Sequence, residues 1–175
     1  MGRLIRQGAR HSRTETIELL QSVFSLELMA PSKKLWIVSP WISDIPVIDN
    51  RGDTFKVPEK WGPERISLSR VLVALAVRGT RVTVVTITDK SNNAFLSALK
   101  DESRRRGVED KVLIVIDDEE KLHEKALTTD DFVIDGSMNF TFNGLFIRRE
   151  RINFETNPKL VAETRLTLAG DFNAE

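Results

Sequence analysis

The sequence contains no cysteine. That excludes disulfides, thiolate chemistry and cysteine-ligated metal sites. Lysine and arginine together number 26, and so do aspartate and glutamate, so the formal net charge is zero. No bulk field announces a nucleic-acid partner, and any such binding has to come from local patches. No apolar run approaches the ~20 residues that span a bilayer, so no membrane partner is expected. The N-terminus carries arginines but lacks the apolar stretch of a secretory signal, and a cytoplasmic location is the expectation. Histidine, aspartate and glutamate are not clustered in the way metal ligands are, so neither a metal nor another cofactor is expected. There is no internal repeat and no low-complexity segment. Histidine itself is scarce, with only His11 and His123.

What is present is an ordinary globular composition. At 175 residues, 41% apolar and 30% charged, the chain is long enough to bury a sizeable core. We read 14–175 as one domain, preceded by a basic arm, 1–13, in which Arg3, Arg6, Arg10 and Arg13 stand without an acid. The arm is either a solvated terminus or a contact to a phosphate backbone. His11 lies in it with nothing nearby to pair with for chemistry.

From Ser12 to Glu15 the chain fits a capping box. Ile17, Leu20, Phe24 and Leu28 then recur at helical spacing until Pro31. Leu35 to Ser39, LWIVS, reads as a buried strand, and it runs into Pro40 and Trp41, the latter read as part of a site wall. Residues 44–65 form the one long irregular stretch. There Lys56, Lys60, Trp61 and Arg65 mix positive charge with an aromatic, which suits either a nucleic-acid strand or a plain surface loop. A helix is predicted over 67–78 with Gly79 as its stop, then a β-branched strand, RVTVVTIT. A second helix runs from Ser91 to the arginine run before Gly107, and a third strand covers 111–116. A strand is read over 146–155 and a last helix from Asn157 to about Leu168. Strands alternating with helices of this length predict an α/β fold, with a mixed, mainly parallel sheet flanked by helices on both faces.

The chain is organised around Leu122 to Gly144, LHEKALTTDDFVIDGSMNFTFNG. In an extended chain, residues two apart share a face, so His123 and Lys125 project together. An ammonium attracts an anion, and an imidazole beside it can attack that anion or exchange protons with it. The order H-x-K, then Asp130, then Gly136-Ser137-x-Asn139 resembles the HKD motif of the phospholipase D superfamily. The stretch between Asp130 and Gly136 is one residue shorter than the usual family pattern, which we read as a tighter turn at Asp130-Asp131. The phrase LWIVSPWIS likewise resembles the first core strand and turn of such domains, and RRERINFE, around Glu150, resembles the family segment carrying an acid that holds the catalytic histidine.

This resemblance implies a phospholipase D-like α-β-α sandwich and a metal-independent phosphodiesterase. It implies catalytic roles for His123, Lys125, Asp130 and Glu150, with Glu155 as competitor for the acid. Asp130, though counted in the motif, is expected mainly to hold its turn or pair with a basic group. Phosphate binding falls to Lys125, Ser137 and Asn139. Arg148, Arg149, Arg151 and Trp41 are candidates to touch nucleic acid. The family mechanism uses one histidine to form a phosphohistidine and a second to protonate the leaving oxygen. This chain supplies one such histidine, so a homodimer sharing one site is implied. A short single-motif chain looks most like a nuclease, with DNA a more natural substrate than RNA. It is also reminiscent of the small DpdK-like type of bacterial DNA-modification and defence clusters, which implies further subunits as partners. The competing readings are a nucleic-acid-binding or assembly subunit with little turnover, and a lipid or small-diester hydrolase.

Overall fold

The computed structural model describes residues 2–6, 10–53, 61–117 and 122–172, the side chains of 6 and 10–13 aside. Lys56, Lys60 and the side chain of His11 therefore lie outside the described residues. In chain order the elements are β1 (Arg3–Arg6), α1 (Arg10–Met29), β2 (Lys34–Val38), β3 (Pro46–Asp49), β4 (Arg65–Ser67), α2 (Leu68–Val77), β5 (Arg81–Thr86), α3 (Asn93–Arg106), β6 (Val112–Ile116), β7 (Ala126–Thr128), β8 (Val133–Gly136), α4 (Phe142–Phe146), β9 (Arg151–Glu155) and α5 (Pro158–Asp171).

Seven strands form one sheet in the order β1-β9-β8-β7-β2-β5-β6. The β2–β5 and β5–β6 pairs are parallel, as βαβ connections through α2 and α3 require. The β2–β7, β7–β8, β8–β9 and β9–β1 pairs are antiparallel. Five strands, β1, β2, β5, β6 and β8, consequently point one way, and β7 and β9 point the other. The sheet is mixed as expected. It is mainly parallel in strand direction, although most neighbouring pairs are antiparallel.

Alternation along the strands separates two cores. Leu35, Ile37, Val82 and Val84 face Leu20, Phe24 and Leu28 of α1, the apolar side of α2, and Phe95 and Leu99 of α3. Trp36, Val38, Val85 and Ala126 face the other way, where Leu168 of α5 covers them. Helices thus lie on both faces. β-Branched runs suit strands buried on both sides, and every residue from Val82 to Thr86 is buried.

Three local readings change. Residues 3–6 of the basic arm are an edge strand, paired with β9 from Arg3↔Phe154 to Arg6↔Arg151, and Ile5 is buried. The ends of the irregular stretch 44–65 pair as the antiparallel β3 and β4. There Trp61 packs on the core under Arg70, 5.8 Å from its ring centre, and Arg65 reaches Asp49 at 3.7 Å. The strand read over 146–155 begins only at Arg151, because Phe142–Phe146 turn as a short helix capped by the Thr141 hydroxyl, which accepts from the Gly144 N–H.

These strand directions bring the C-terminal ends of β2, β5 and β8 together with the N-terminal ends of β7 and β9. Motif residues from distant parts of the chain meet at this end of the sheet.

Candidate active site

The site rests on a buried knot at the ends of β2 and β5. Asn92, fully buried, donates to the carbonyls of Pro40 (2.9 Å) and Ile87 (3.0 Å) and to the Thr86 hydroxyl (2.9 Å), and its Oδ1 accepts from the Ile42 N–H (2.9 Å). Thr86 donates in turn to Pro40 (3.0 Å). The turn Pro40–Ile42 is thereby fixed against β5, and Trp41 is presented outward, 41% exposed. Its indole N–H donates to Asp89 (3.3 Å). Asp89 is held below the usual carboxylate range, first by hydrogen bonds from Ser91 and then by the one from Trp41. A single buried asparagine leaves no periodic signal, and sequence reading missed it.

The G-S-x-N stretch continues from β8. Gly136 has φ +143, and a Cβ there would stand 2.0 Å from the Arg151 carbonyl oxygen. Only glycine permits that backbone and that approach. Ser137 then donates its hydroxyl to Glu150 and accepts from the Arg151 N–H (3.0 Å). Its side chain holds the acid rather than standing free for a phosphate. Asn139 is buried, and its Oδ1 accepts from the Ser39 hydroxyl at 3.2 Å. Its NH₂ makes no bond to a described residue, and Asn139 lines a cavity of about 380 Å³ together with Trp41 and Arg148. Gly144, which sequence reading passed over, lets α4 close on this stretch: a Cβ there would meet the Asn139 carbonyl oxygen at 2.2 Å.

His123 and Lys125 lie just before β7, one step beyond the last β2–β7 pair, Val38↔Ala126. Leu127 belongs to the helix-rich core and Ala126 to the opposite one. Lys125 is half-buried, and its ammonium donates to the His123 carbonyl. Burial lowers its pKa, and the Glu150 charge nearby opposes that shift. His123 is exposed, and no hydrogen bond joins its ring to a described residue. Glu150 therefore stands with Ser137 and acts on Lys125, with no bond to His123 within one chain. His123 does not line the Asn139 cavity. Glu124, between the two motif residues, is exposed, and its pKa is raised first by partial desolvation and then by the charges of Asp171 and Asp135.

Asp130 does not join this group. It lies beyond the other end of β7, a strand that alone spans roughly 10 Å. There its carboxylate accepts from the Lys33 N–H (2.7 Å) and pairs with Arg165 (2.8 Å). The Thr129 N–H bonds to Phe132 O (2.9 Å) and closes the tight turn. The Asp130 oxygens tie the start of β2 and α5 to the turn, at the opposite end of β7 from His123 and Lys125. Glu155 likewise sits at the far end of β9, accepting the N–H groups of Thr156 (2.8 Å) and Asn157 (2.7 Å) before α5. Arg148, Arg149 and Arg151 are exposed and make no ion pair with a described residue. Among the described residues no group of histidine, aspartate and glutamate is arranged to hold a metal, and no helix is long and apolar enough to cross a membrane.

Two cores around a mixed sheet, with H-x-K and G-S-x-N at one sheet end, define a phospholipase D-like α/β domain. The chain belongs to that family: the family described as "Cardiolipin synthase, PLD-like domain" matches residues 59–171. Among solved structures it is similar to NucT from Helicobacter pylori (12% identity, TM-score 0.65) and to the phospholipase D family member Nuc from Salmonella typhimurium (17% identity, TM-score 0.60), each match covering 98% of this chain and 94% of the other. It is also similar to a phosphatidylserine synthase from Haemophilus influenzae (11% identity, TM-score 0.59), covering 99% of this chain and 38% of that one. At such identities the likeness is one of fold. No curated protein matches by sequence.

Proposed function

We propose that this protein is a metal-independent phosphodiesterase that cleaves nucleic acid, DNA in preference to RNA, at a site shared by two copies of the chain. The observation that carries the reading is the sheet end itself. An exposed imidazole, an ammonium and a carboxylate that takes the Ser137 hydroxyl hydrogen all belong to this one end of the sheet. Arg149 and Arg151, which flank Glu150, make no ion pair with a described residue.

An imidazole nitrogen of His123 attacks phosphorus, forming a P–N bond while the P–O bond to the leaving strand breaks. His123 of the second copy gives its proton to that leaving oxygen. It then takes a proton from water, whose oxygen displaces the first imidazole. Lys125 and the Asn139 NH₂ hold the non-bridging oxygens, where negative charge builds. The charge that a metal would bring comes from Lys125 and its copy. Glu150, anchored by Ser137, sits where it raises the charged fraction of Lys125. One such histidine per chain is the reason for the second copy. The resemblance to small proteins of DNA-modification and defence clusters extends the proposal to further subunits as partners.

The test is cleavage of labelled single-stranded DNA, duplex DNA, RNA and a chromogenic diester in excess chelator, beside His123→Ala. Cleavage of nucleic acid by the parent and not by the variant is expected. Binding without cleavage by either would favour a nucleic-acid-binding subunit. Turnover confined to lipid would favour a lipid hydrolase.

A further inference from the structure

The cavity beside Asn139 has a character that phosphate chemistry does not call for. Two of its walls are aromatic rings left in the open, Trp41 at 41% exposure and Phe142 at 57%. The Trp41 indole is pinned by its bond to Asp89. Phe142 is braced by Phe146, with ring centres 4.8 Å apart. Both rings are thus ordered without being covered. The remaining lining is polar and neutral apart from one cation: hydroxyls of Ser43, Ser91 and Thr141, the amides of Asn139 and Asn143, and Arg148, with no carboxylate among them. The Asn143 side chain makes no hydrogen bond to a described residue. At about 380 Å³ the cavity falls within the ~300–1,000 Å³ of small-ligand sites. Its one cation, Arg148, is exposed and makes no ion pair with a described residue.

Flat apolar walls, the Asn139 NH₂ and the Asn143 amide without a bond to a described residue, and a cation at the edge match an unpaired nucleobase with its phosphate. Aromatic faces stack any base, and positive charge tracks the backbone. A base inside a duplex has no free face to offer. We propose that this cavity takes one unstacked base of a single-stranded nucleic acid, with Trp41 and Phe142 as stacking walls, Asn143 reaching the base edge and Arg148 the adjoining phosphate. The inference rests on the proposed nuclease reading and sharpens its substrate to single strands. It also requires that a second copy of the chain leave this cavity open.

The test separates binding from turnover. In a His123→Ala background, affinity is measured for a labelled single strand and for a sealed duplex of the same sequence, with and without Trp41→Ala, Phe142→Ala, Trp41→Phe and Arg148→Gln. The single strand is expected to bind more tightly. Each alanine variant should weaken it roughly 5- to 150-fold, the equivalent of ~1–3 kcal/mol of base stacking, with the duplex unaffected. Trp41→Phe should restore most of the loss, and Arg148→Gln should lower the salt slope for single strands by about 0.7. Equal binding by parent and alanine variants would overturn the inference. So would equal losses on strand and duplex, or sedimentation showing that the alanine variants fall from dimer to monomer, which would make the rings an interface between copies. Stacking-dependent binding by a parent chain that never cleaves would leave the inference standing and remove the nuclease reading.

Discussion

The two ends of β7 carry residues of one motif and treat them in opposite ways. At the far end, Asp130 spends its oxygens on the Lys33 N–H and the Arg165 guanidinium, fixing a turn to a strand and a helix. At the near end, among the described residues, Lys125 bonds only to the His123 carbonyl, and the His123 ring has no hydrogen bond. Engaged polar groups hold the fold. Groups without a bond to a described residue are the candidates to meet a substrate. Position in a motif does not by itself tell these apart, but the partners do.

Substitutions on either side of this contrast should separate activity from stability. The largest effect is expected for Lys125→Ala: turnover per folded molecule should fall about 10²–10³-fold, as for loss of one charge-stabilising donor, while the denaturation midpoint does not fall. Asp130→Ala should do the reverse. About 1.5 kcal/mol of stability should be lost, the low end for bonds to a charged group, because the Asp130 and Arg165 side chains remain 26% and 28% exposed. Turnover per folded molecule should hold, and a loss comparable to that of Lys125→Ala would merge the two ends into one site.

A smaller effect concerns pH. Burial lowers the pKa of Lys125 against the opposing charge of Glu150. The active ammonium, and with it the rate, should therefore decline as pH rises through a value below the usual lysine range. Lys125→Arg should move that alkaline limb upward in a pH–rate profile. The smallest effect belongs to Glu27, a buried carboxylate accepting from the Ser32 N–H (2.9 Å) and hydroxyl (3.0 Å). Burial raises its pKa above 4.5. An acid whose folded pKa is raised stabilises the fold fully below its unfolded pKa and loses that contribution as pH rises through the folded one. The melting temperature of Glu27→Gln relative to the parent should therefore become more favourable between about pH 4 and pH 7, and a flat difference would show that burial of the charge is relieved elsewhere.

Much of this was legible in the residues. Apolar runs such as LWIVS and RVTVVT announced strands buried on both faces, and Gly79 and Gly107 marked helix ends. The spacing of His123, Lys125 and Gly136 to Asn139 announced the sheet end where they gather. What escaped reading depends on partners far away in sequence. β1 is four residues with two arginines, and only pairing with β9 makes it a strand. Ser137, expected at a phosphate, gives its hydroxyl hydrogen to Glu150, a partner that no local pattern announces. Asn92 and Gly144 act through a buried amide and a missing Cβ, neither of which leaves a periodic trace.

In the proposed mechanism His123 is the group that bonds to phosphorus. Rapid quenching during turnover at neutral to alkaline pH, followed by peptide mass spectrometry, reads this directly. A nucleotide or phosphate adduct on the peptide containing His123, acid-labile and lost in His123→Ala, is the predicted result. Turnover that proceeds undiminished in His123→Ala, or an adduct on a different side chain, would contradict it.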